Sequence, residues 1–510
     1  MAGKRASGAN CSRPCYTMAA PSRQRSSSAA GIFASTSEAD GFVIAPFYGT
    51  LHVSAQRAQQ RFEGWGTSLC WFANIPYALA AKRQLADLLF DPKLGLGMQI
   101  VRYNIGGAGW GSQDVKNFRY GASIPSFWGP DGTWDWSLDA EQRWWLLAAK
   151  ERASGFIAEA FSNSPPYWMT ISGRSSGNRN PRYDNLAPEA YDAFIHYLTE
   201  VVAHYHKEHG VTFRTLDPFN EPDTFYWWMG NNQEGCRFCP AAQNIILPKL
   251  HARLEETGLL AAGVSISASD ETSIDTACSS FCSYTQQSLA AVAQVNTHAY
   301  QGSKRAQLRD MVRPAGKRLW MSEYGCGSFV PGDIGSGLEL SRCILADLNV
   351  LQADAWIYWQ AIENGDSANS WGLMQVPFHT PTTVTIGKQF YALAQYSKFI
   401  RSGDTILATD DPNGTVAALR GRAPDGADDA AGVTITLVKT TFVGQSVTCD
   451  VDLSGFASSG ASGGTVNVFR TSQAENFQQV ERFTLTGLEF CTTLMPLSIT
   501  TFVIKLNASP

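Results

Sequence analysis

The sequence predicts an α/β fold, a (β/α)8 TIM barrel with an antiparallel β-sandwich attached as a side domain, and three observations predict it. Short apolar runs alternate with stretches of helical spacing across residues 61–395, the order that builds a parallel sheet closed by helical crossovers. Two of those runs, Thr215–Pro222 and Arg318–Gly325, each carry a glutamate, Glu221 and Glu323, to their carboxyl ends. A parallel barrel gathers such strand ends on one face, however far apart they lie in sequence. Across residues 396–510 the pattern becomes short alternating strands, among them Val433–Val438 and Thr500–Lys505, divided by Gly, Asp, Asn and Ser turns. That is the pattern of an antiparallel sandwich.

Residues 1–40 form a polar, small-residue leader without period, expected to be disordered or to serve in targeting. The leader lacks the apolar core of a secretory signal, so an organelle address or a misassigned start are the alternatives. Residues 41–60 alternate through Phe42, Ile44, Phe47, Leu51 and Val53, as half-exposed strands do; they precede the barrel and are expected to complete the sandwich. Arg61–Cys70 reads as the first barrel strand, with a glycine-rich exit. Ala78–Leu89 has helical spacing, Met98–Ile105 is the second strand, Trp144–Arg152 is helical and Phe156–Phe161 is the third strand. Pro188–His206 makes a long amphipathic helix before the fourth strand. That strand is expected to end at Glu221, because Pro222 lacks an amide proton and disfavours helix in the residue before it. The fifth strand, Val264–Ala268, runs into Ser-Asp-Glu; the sixth, Val295–Thr297, into His298 and Tyr300; the seventh ends at Glu323, and the eighth is Ala355–Trp359. Phe390–Phe399 has helical spacing and leads into the sandwich.

Composition narrows the function classes. A net charge of -5 over 510 residues, with 17% charged residues, favours neither nucleic acid nor an anionic membrane as partner. No apolar stretch is long enough for an integral membrane segment. The 12% aromatic content supplies large cores, and rings left over can stack on sugar faces. Of the eleven cysteines, Cys236, Cys239, Cys278 and Cys282 have spacings open to a zinc reading; disulfides between their two loops are the expected use. Cys449 and Cys491 could staple the sandwich, and Cys70 is the candidate free thiol. Asn413-Gly-Thr415 and Asn507-Ala-Ser509 are glycosylation acceptors, which act only on a secretory route. A monomer is expected.

Glu221 and Glu323 are the candidate catalytic carboxyls. A retaining glycosidase needs two, about 5–5.5 Å apart, one to protonate the leaving oxygen and one to attack the anomeric carbon. Asn220 offers a donor and an acceptor to a sugar hydroxyl next to the reacting carbon. His298 and Tyr300 end the sixth strand, where the phenol could hold the nucleophile's carboxylate, and Trp359 could floor the sugar subsite. Glu221 has to carry a proton, while Glu323 has to be ionised, held so by Tyr300 and Arg102.

Phe-Glu-Gly-Trp-Gly-Thr-Ser at 62–68, Arg-Tyr-Asn-Ile-Gly-Gly at 102–107, Ser-Pro-Pro-Tyr-Trp-Met at 164–169, Phe-Asn-Glu-Pro at 219–222 and Trp-Met-Ser-Glu-Tyr-Gly at 320–325 resemble glycoside hydrolase family 30. Tyr-Ser-Lys-Phe-Ile-Arg-Ser-Gly at 396–403 resembles that family's passage from barrel to side sandwich. The resemblance implies a retaining mechanism with Glu221 as acid/base and Glu323 as nucleophile, and neither metal nor cofactor. By the same resemblance Arg102, Asn104, Asn220, His298, Tyr300 and Trp359 line the pocket, with Trp65 of the first motif also expected at the sugar. Tyr226-Trp-Trp and Asn232-Gln-Glu-Gly-Cys-Arg look most like the endo-β-1,6-galactanase branch, which trims side chains of arabinogalactan, and Gln233 and Glu234 are expected to reach sugar hydroxyls. The implied partner is a polysaccharide or glycoconjugate substrate, and the implied location extracellular. Rival readings are the same fold acting on glucosylceramide, β-1,6-glucan or xylan, a carbohydrate-binding protein without turnover, and a zinc hydrolase.

Overall fold

A computed structural model describes residues 46–508 apart from 327–328, 366–369 and 422–431; the expected leader at 1–40, with Phe42 and Ile44 after it, lies outside the described residues. Two short strands come first, β1 (Thr50–His52) and β2 (Ala58–Arg61). Eight parallel strands then close a barrel: β3 (Gly64–Ser68), β4 (Ile100–Asn104), β5 (Ile157–Phe161), β6 (Thr215–Asp217), β7 (Ser265–Ser273), β8 (Val292–Gln301), β9 (Arg318–Tyr324) and β10 (Ala355–Tyr358), with β10 pairing back onto β3. Helices α1 (Leu79–Phe90), α2 (Ala140–Arg152), α3 (Tyr191–His209) and α4 (Pro240–Glu256) follow the first four barrel strands. α5 (Ile274–Ser283) and α6 (Gln286–Ala291) follow β7, α7 (Arg305–Val312) follows β8 and α8 (Ile334–Ala346) follows β9.

The two-residue period of a strand decides what fills the barrel. Ile100, Ile157, Trp320, Ala355 and Ile357 meet inside as an apolar plug at the amino ends of the strands. One step further along, the same faces of β4, β5 and β6 present Arg102, Glu159 and Asp217, all without solvent exposure. The outward positions, Val101, Tyr103, Ala158, Ala160 and Leu216, join the large core under the helices. Gly66 has to be glycine, since a β-carbon there would lie 2.5 Å from the Ile100 carbonyl oxygen of the neighbouring strand.

A small sheet, β11 (Ile362–Asn364), β12 (Met374–Val376) and β13 (Thr385–Ile386), precedes α9 (Lys388–Ser397). The side domain holds β14 (Thr405–Leu407), β15 (Thr415–Leu419), β16 (Gly432–Thr441), β17 (Val447–Asp452), β18 (Ala461–Thr471), β19 (Gln478–Leu485), β20 (Glu489–Leu494) and β21 (Ser498–Ala508). Its seven-stranded sheet runs β19-β18-β21-β16-β15-β14-β2 and faces a three-stranded sheet, β1-β17-β20. All these pairs are antiparallel except β1 with β17, which is parallel. Between the sheets lies a core of its own, including Leu51, Leu437, Val451 and Phe502. Toward the barrel the large sheet meets α8 and α9: Ser341 bonds Thr440 at 2.6 Å, Gln395 donates to Thr471 at 2.8 Å and Lys388 to the Ser472 carbonyl at 2.6 Å.

The expected disulfides are absent among the described residues, where all nine cysteines are unpaired. Cys449 faces Thr492 and Cys491 faces Asp450, so the two thiols, one residue out of register, stand on opposite faces of the sheet. Cys236 turns its thiol to the Arg237 carbonyl and Cys278 turns its own to the Lys304 carbonyl, so the two loops do not present sulfur to one another. Among the described residues no helix is long and apolar enough to cross a membrane.

Candidate active site

Strand β6 stops at Asp217, and Glu221 is carried on the loop beyond it rather than on the strand end. The Phe219 amide caps the Asp217 carboxylate at 3.2 Å, and the chain turns through Glu221 with φ 48°, in the left-handed region. A non-glycine residue holds that conformation only when its surroundings over-determine it. Three hydrogen bonds do so: the Glu221 amide donates to the Asp270 carbonyl at 2.9 Å, and its carbonyl accepts from the Trp227 indole at 3.0 Å and the Thr224 hydroxyl at 3.2 Å.

Glu323 stands on β9 itself. Its Oε2 accepts from Arg102 at 2.9 Å and its Oε1 from the Tyr300 hydroxyl at 3.2 Å. Between the two glutamates lies His298, its Nδ1 3.3 Å from Glu221 Oε1 and 3.4 Å from Glu323 Oε1, while Nε2 is 3.2 Å from Asp270 Oδ1. The facing atoms of Glu221, His298 and Glu323 all lie within 4.8 Å of one another. Arg102, wholly buried, also donates to Glu159 at 3.2 Å, to the Ser68 hydroxyl and Ser322 carbonyl, each at 3.2 Å, and to Asp270, with its guanidinium 4.1 Å over the Phe161 ring.

Burial and charge pull against each other here. Burial lowers the His298 imidazole, but Glu323 and Asp270 outweigh it and hold the ring well above its ordinary value. Burial also raises Asp270, yet Arg102 and His298 win and hold it at about 2. Asp217 goes the other way: burial, then the Asp270 and Glu159 charges, push it well up. For Glu323 the sequence leads one to expect an ionised group; burial raises it more than His298 and Arg102 lower it, because the carboxyl has little water. Glu221, His298 and Glu323 have the spacing of cation ligands. Arg102 already takes up Glu323 Oε2, and the His298 Nδ1 stands between the two glutamates.

Of the residues singled out from sequence, the structure brings Arg102, Asn220, His298 and Tyr300 together around the two glutamates. Asn220 is buried, and its Oδ1 has no partner among the described residues. Trp359 packs edge-on against Trp71, centroids 5.1 Å apart, beside Cys70, Ala122 and Phe161, forming an aromatic wall on the β10–β5 side of the pair. Trp65 is not in the site. Gly64, Gly66 and Ser68 take the inward positions of β3, so Trp65 points outward, unexposed, between Trp356 and Tyr396, its indole donating to the Ile400 carbonyl at 2.8 Å. Asn104 and Glu234 face one another. Asn104 donates to Glu234 at 3.0 Å and accepts from the Asn163 amide, and Glu234 also accepts from the Gly107 amide at 2.8 Å. Buried, with its carboxyl pushed by burial to about 8, Glu234 clamps the loop after β6 onto the end of β4. Gln233, half-buried in that loop, lies outside the network.

Asp270, Trp71 and Tyr226 were not singled out, although Asp270 was within reach: it follows an apolar strand, the signal that picked out both glutamates. Tyr226 bonds the Thr272 hydroxyl at 2.6 Å beside Glu221.

Comparison with known proteins adds four findings. The family model described as O-Glycosyl hydrolase family 30 matches residues 49–303. The chain is 31% identical over 429 residues to an endo-beta-1,6-galactanase of Hypocrea rufa, covering 79% of this chain and 83% of that one. It is 24% identical to an exo-beta-1,6-galactobiohydrolase of Bifidobacterium longum, over 70% of this chain and 32% of that longer one. Among solved structures, the catalytic domain of a xylanase C from Talaromyces cellulolyticus superposes with a TM-score of 0.67 at 20% identity, covering 89% of this chain and 99% of that one.

Proposed function

The chain belongs to O-glycosyl hydrolase family 30 and is a glycosidase, and from that premise we propose that it cleaves the β-1,6-galactan side chains of arabinogalactan by double displacement at Glu221 and Glu323. The observation that carries the mechanism is the spacing of the pair. One oxygen of each carboxyl lies within 4.8 Å of one of the other's, which suits the roughly 5–5.5 Å between groups of a retaining pair better than the roughly 6.5–9.5 Å that makes room for an intervening water. The galactanase from Hypocrea rufa, similar over most of both chains, supports the substrate.

In the first step Glu323 attacks the anomeric carbon as its bond to the leaving oxygen breaks, and Glu221 delivers its proton to that oxygen. In the second, Glu221 takes a proton from water, whose oxygen attacks the same carbon and releases Glu323. Two inversions give net retention. Arg102 and Tyr300 hold the Glu323 carboxylate in line, and the free Oδ1 of Asn220 accepts from the hydroxyl beside the reacting carbon. The Trp359 ring covers the apolar face of the sugar. Such preorganised groups stabilise charge where it develops. Arabinogalactan is extracellular, which carries an extracellular site of action with it.

The test is product release from de-arabinosylated arabinogalactan, resolved by oligosaccharide length, with Glu221→Gln alongside. Short β-1,6-galacto-oligosaccharides from the parent protein alone are expected. Release from β-1,6-glucan, xylan or glucosylceramide instead of galactan would overturn the substrate while leaving the carboxyl pair in place.

A further inference from the structure

The loop after β6 is bolted down at one residue and projects aromatic rings at the next. Trp227 is buried with its indole on the Glu221 carbonyl, whereas its neighbours Tyr226 and Trp228 are 41% and 52% exposed. Tyr226 is not a loose surface ring. Its hydroxyl is tied to Thr272 at 2.6 Å at the end of β7, and its ring packs against Trp227, centroids 4.7 Å apart. Burial and then the Glu221 carboxylate push the phenol well above its ordinary value, which fits a hydroxyl set in the cleft beside that glutamate while the ring stays open to solvent.

The position of Tyr226 relative to the pair decides what it can touch. The wall of Trp71, Phe161 and Trp359 lies on the β10–β5 side, where Arg102 reaches Glu323, and so takes the sugar that is attacked. Tyr226 and Thr272 lie on the β6–β7 side, against the residue that protonates the departing oxygen. A sugar bonded through that oxygen must leave the catalytic pair across this side of the cleft.

Resting on the reading of Glu221 as acid/base, we infer that Tyr226, anchored by Thr272, is the floor of the leaving-group subsite, taking the apolar face of the hexose released in the first step, with exposed Trp228 continuing the platform along the chain. An aromatic face held rigid at little entropic cost suits sugar stacking. A cleft with ring platforms on both sides of the pair suits a chain cut internally.

The experiment compares two substrates sharing the attacked sugars. One is a β-1,6-galactotetraose; the other is β-1,6-galactobiosyl fluoride, whose leaving group fills no sugar subsite. Tyr226→Ala is expected to lower kcat/KM on the tetraose at least tenfold more than on the fluoride, and Tyr226→Phe, which keeps the ring, to lose less than Tyr226→Ala. Equal losses on both substrates, or none on either, overturn the assignment. Should Tyr226→Ala not fold, Thr272→Val, at a half-buried position, is read in the same way. If the parent protein turns over the corresponding glucosyl or xylosyl pair and not the galactosyl one, the galactan reading fails and the same comparison on that pair decides Tyr226.

Discussion

The Glu221 amide donates to the Asp270 carbonyl at 2.9 Å, so one residue of β7 positions both glutamates of the proposed pair. Its main chain fixes Glu221 in a left-handed turn, and its carboxylate braces Arg102, which holds Glu323, and His298, which faces both glutamates. Asp270→Ala therefore takes the carboxylate away from buried Arg102 and from His298 while keeping the backbone contact. Breaking a buried pair in this way costs about 3–5 kcal/mol of stability, and loss of one preorganised electrostatic partner costs roughly 10²–10³ in kcat. Calorimetry and steady-state kinetics check both. A variant with parental kcat would show that Asp270 has no part in positioning.

The nine described thiols give a second test. Only Cys282 and Cys491 are exposed, so an aromatic disulfide reagent should titrate two of these nine rapidly in the native protein and the others on unfolding. A reducing agent should leave the melting temperature unchanged. A fall of several degrees on reduction would restore the staples expected from spacing alone.

Those staples show where reading the sequence stops. Barrel and sandwich were legible because hydrophobic period is a local property: apolar runs such as Phe156–Phe161 declare strands, and Asn220-Glu221-Pro222 declares a strand exit. The direction of a side chain needs register as well. Trp65 sits in a motif beside the site, yet the alternation of β3 turns it outward, and Cys449 and Cys491 miss one another by a single residue of offset. Glu234 required knowledge of its partners, since only the folded chain brings Asn104 and the Gly107 amide to its carboxyl. Asp270 carries the same signal as the two glutamates, an acid after an apolar run, but β7 runs on through Ser273, so it lies within the strand rather than at its exit.

Stability should fall as pH rises from 5 to 8. Burial raises Glu271 and Glu234 to about 8, and Asp139 and Glu363 to about 7. Each keeps its proton when folded and loses it near pH 4 when unfolded. The stability they contribute is complete below their unfolded values and lost as pH climbs through the folded ones, each at up to about 1.4 kcal/mol per pH unit. Asp270 has the opposite sign, but its window lies below pH 4. The melting temperature should be higher at pH 5 than at pH 8, and Glu271→Gln should flatten the slope. A melting temperature that rises across this range would contradict the burial of these carboxyls.

Gly235 tests whether the loop after β6 must be locked for turnover. A β-carbon there would lie 2.0 Å from Trp227 Cε3, closer than any contact permits, and the Gly235 amide is itself tied to the Ser175 carbonyl at 2.9 Å. Gly235→Ala must therefore displace the Trp227 ring, which breaks its bond to the Glu221 carbonyl and frees the left-handed turn to relax. Overpacking of this kind costs typically about 1–3 kcal/mol, while a misplaced acid costs on the order of 10²-fold in rate. The expected signature is a kcat loss well beyond what the modest drop in melting temperature explains. Gly444→Ala, where an added β-carbon meets nothing within 4 Å, controls for the substitution itself and should leave both quantities unchanged. Parental kcat in Gly235→Ala would mean that Glu221 keeps its position without Trp227, and that the three hydrogen bonds around its backbone are redundant.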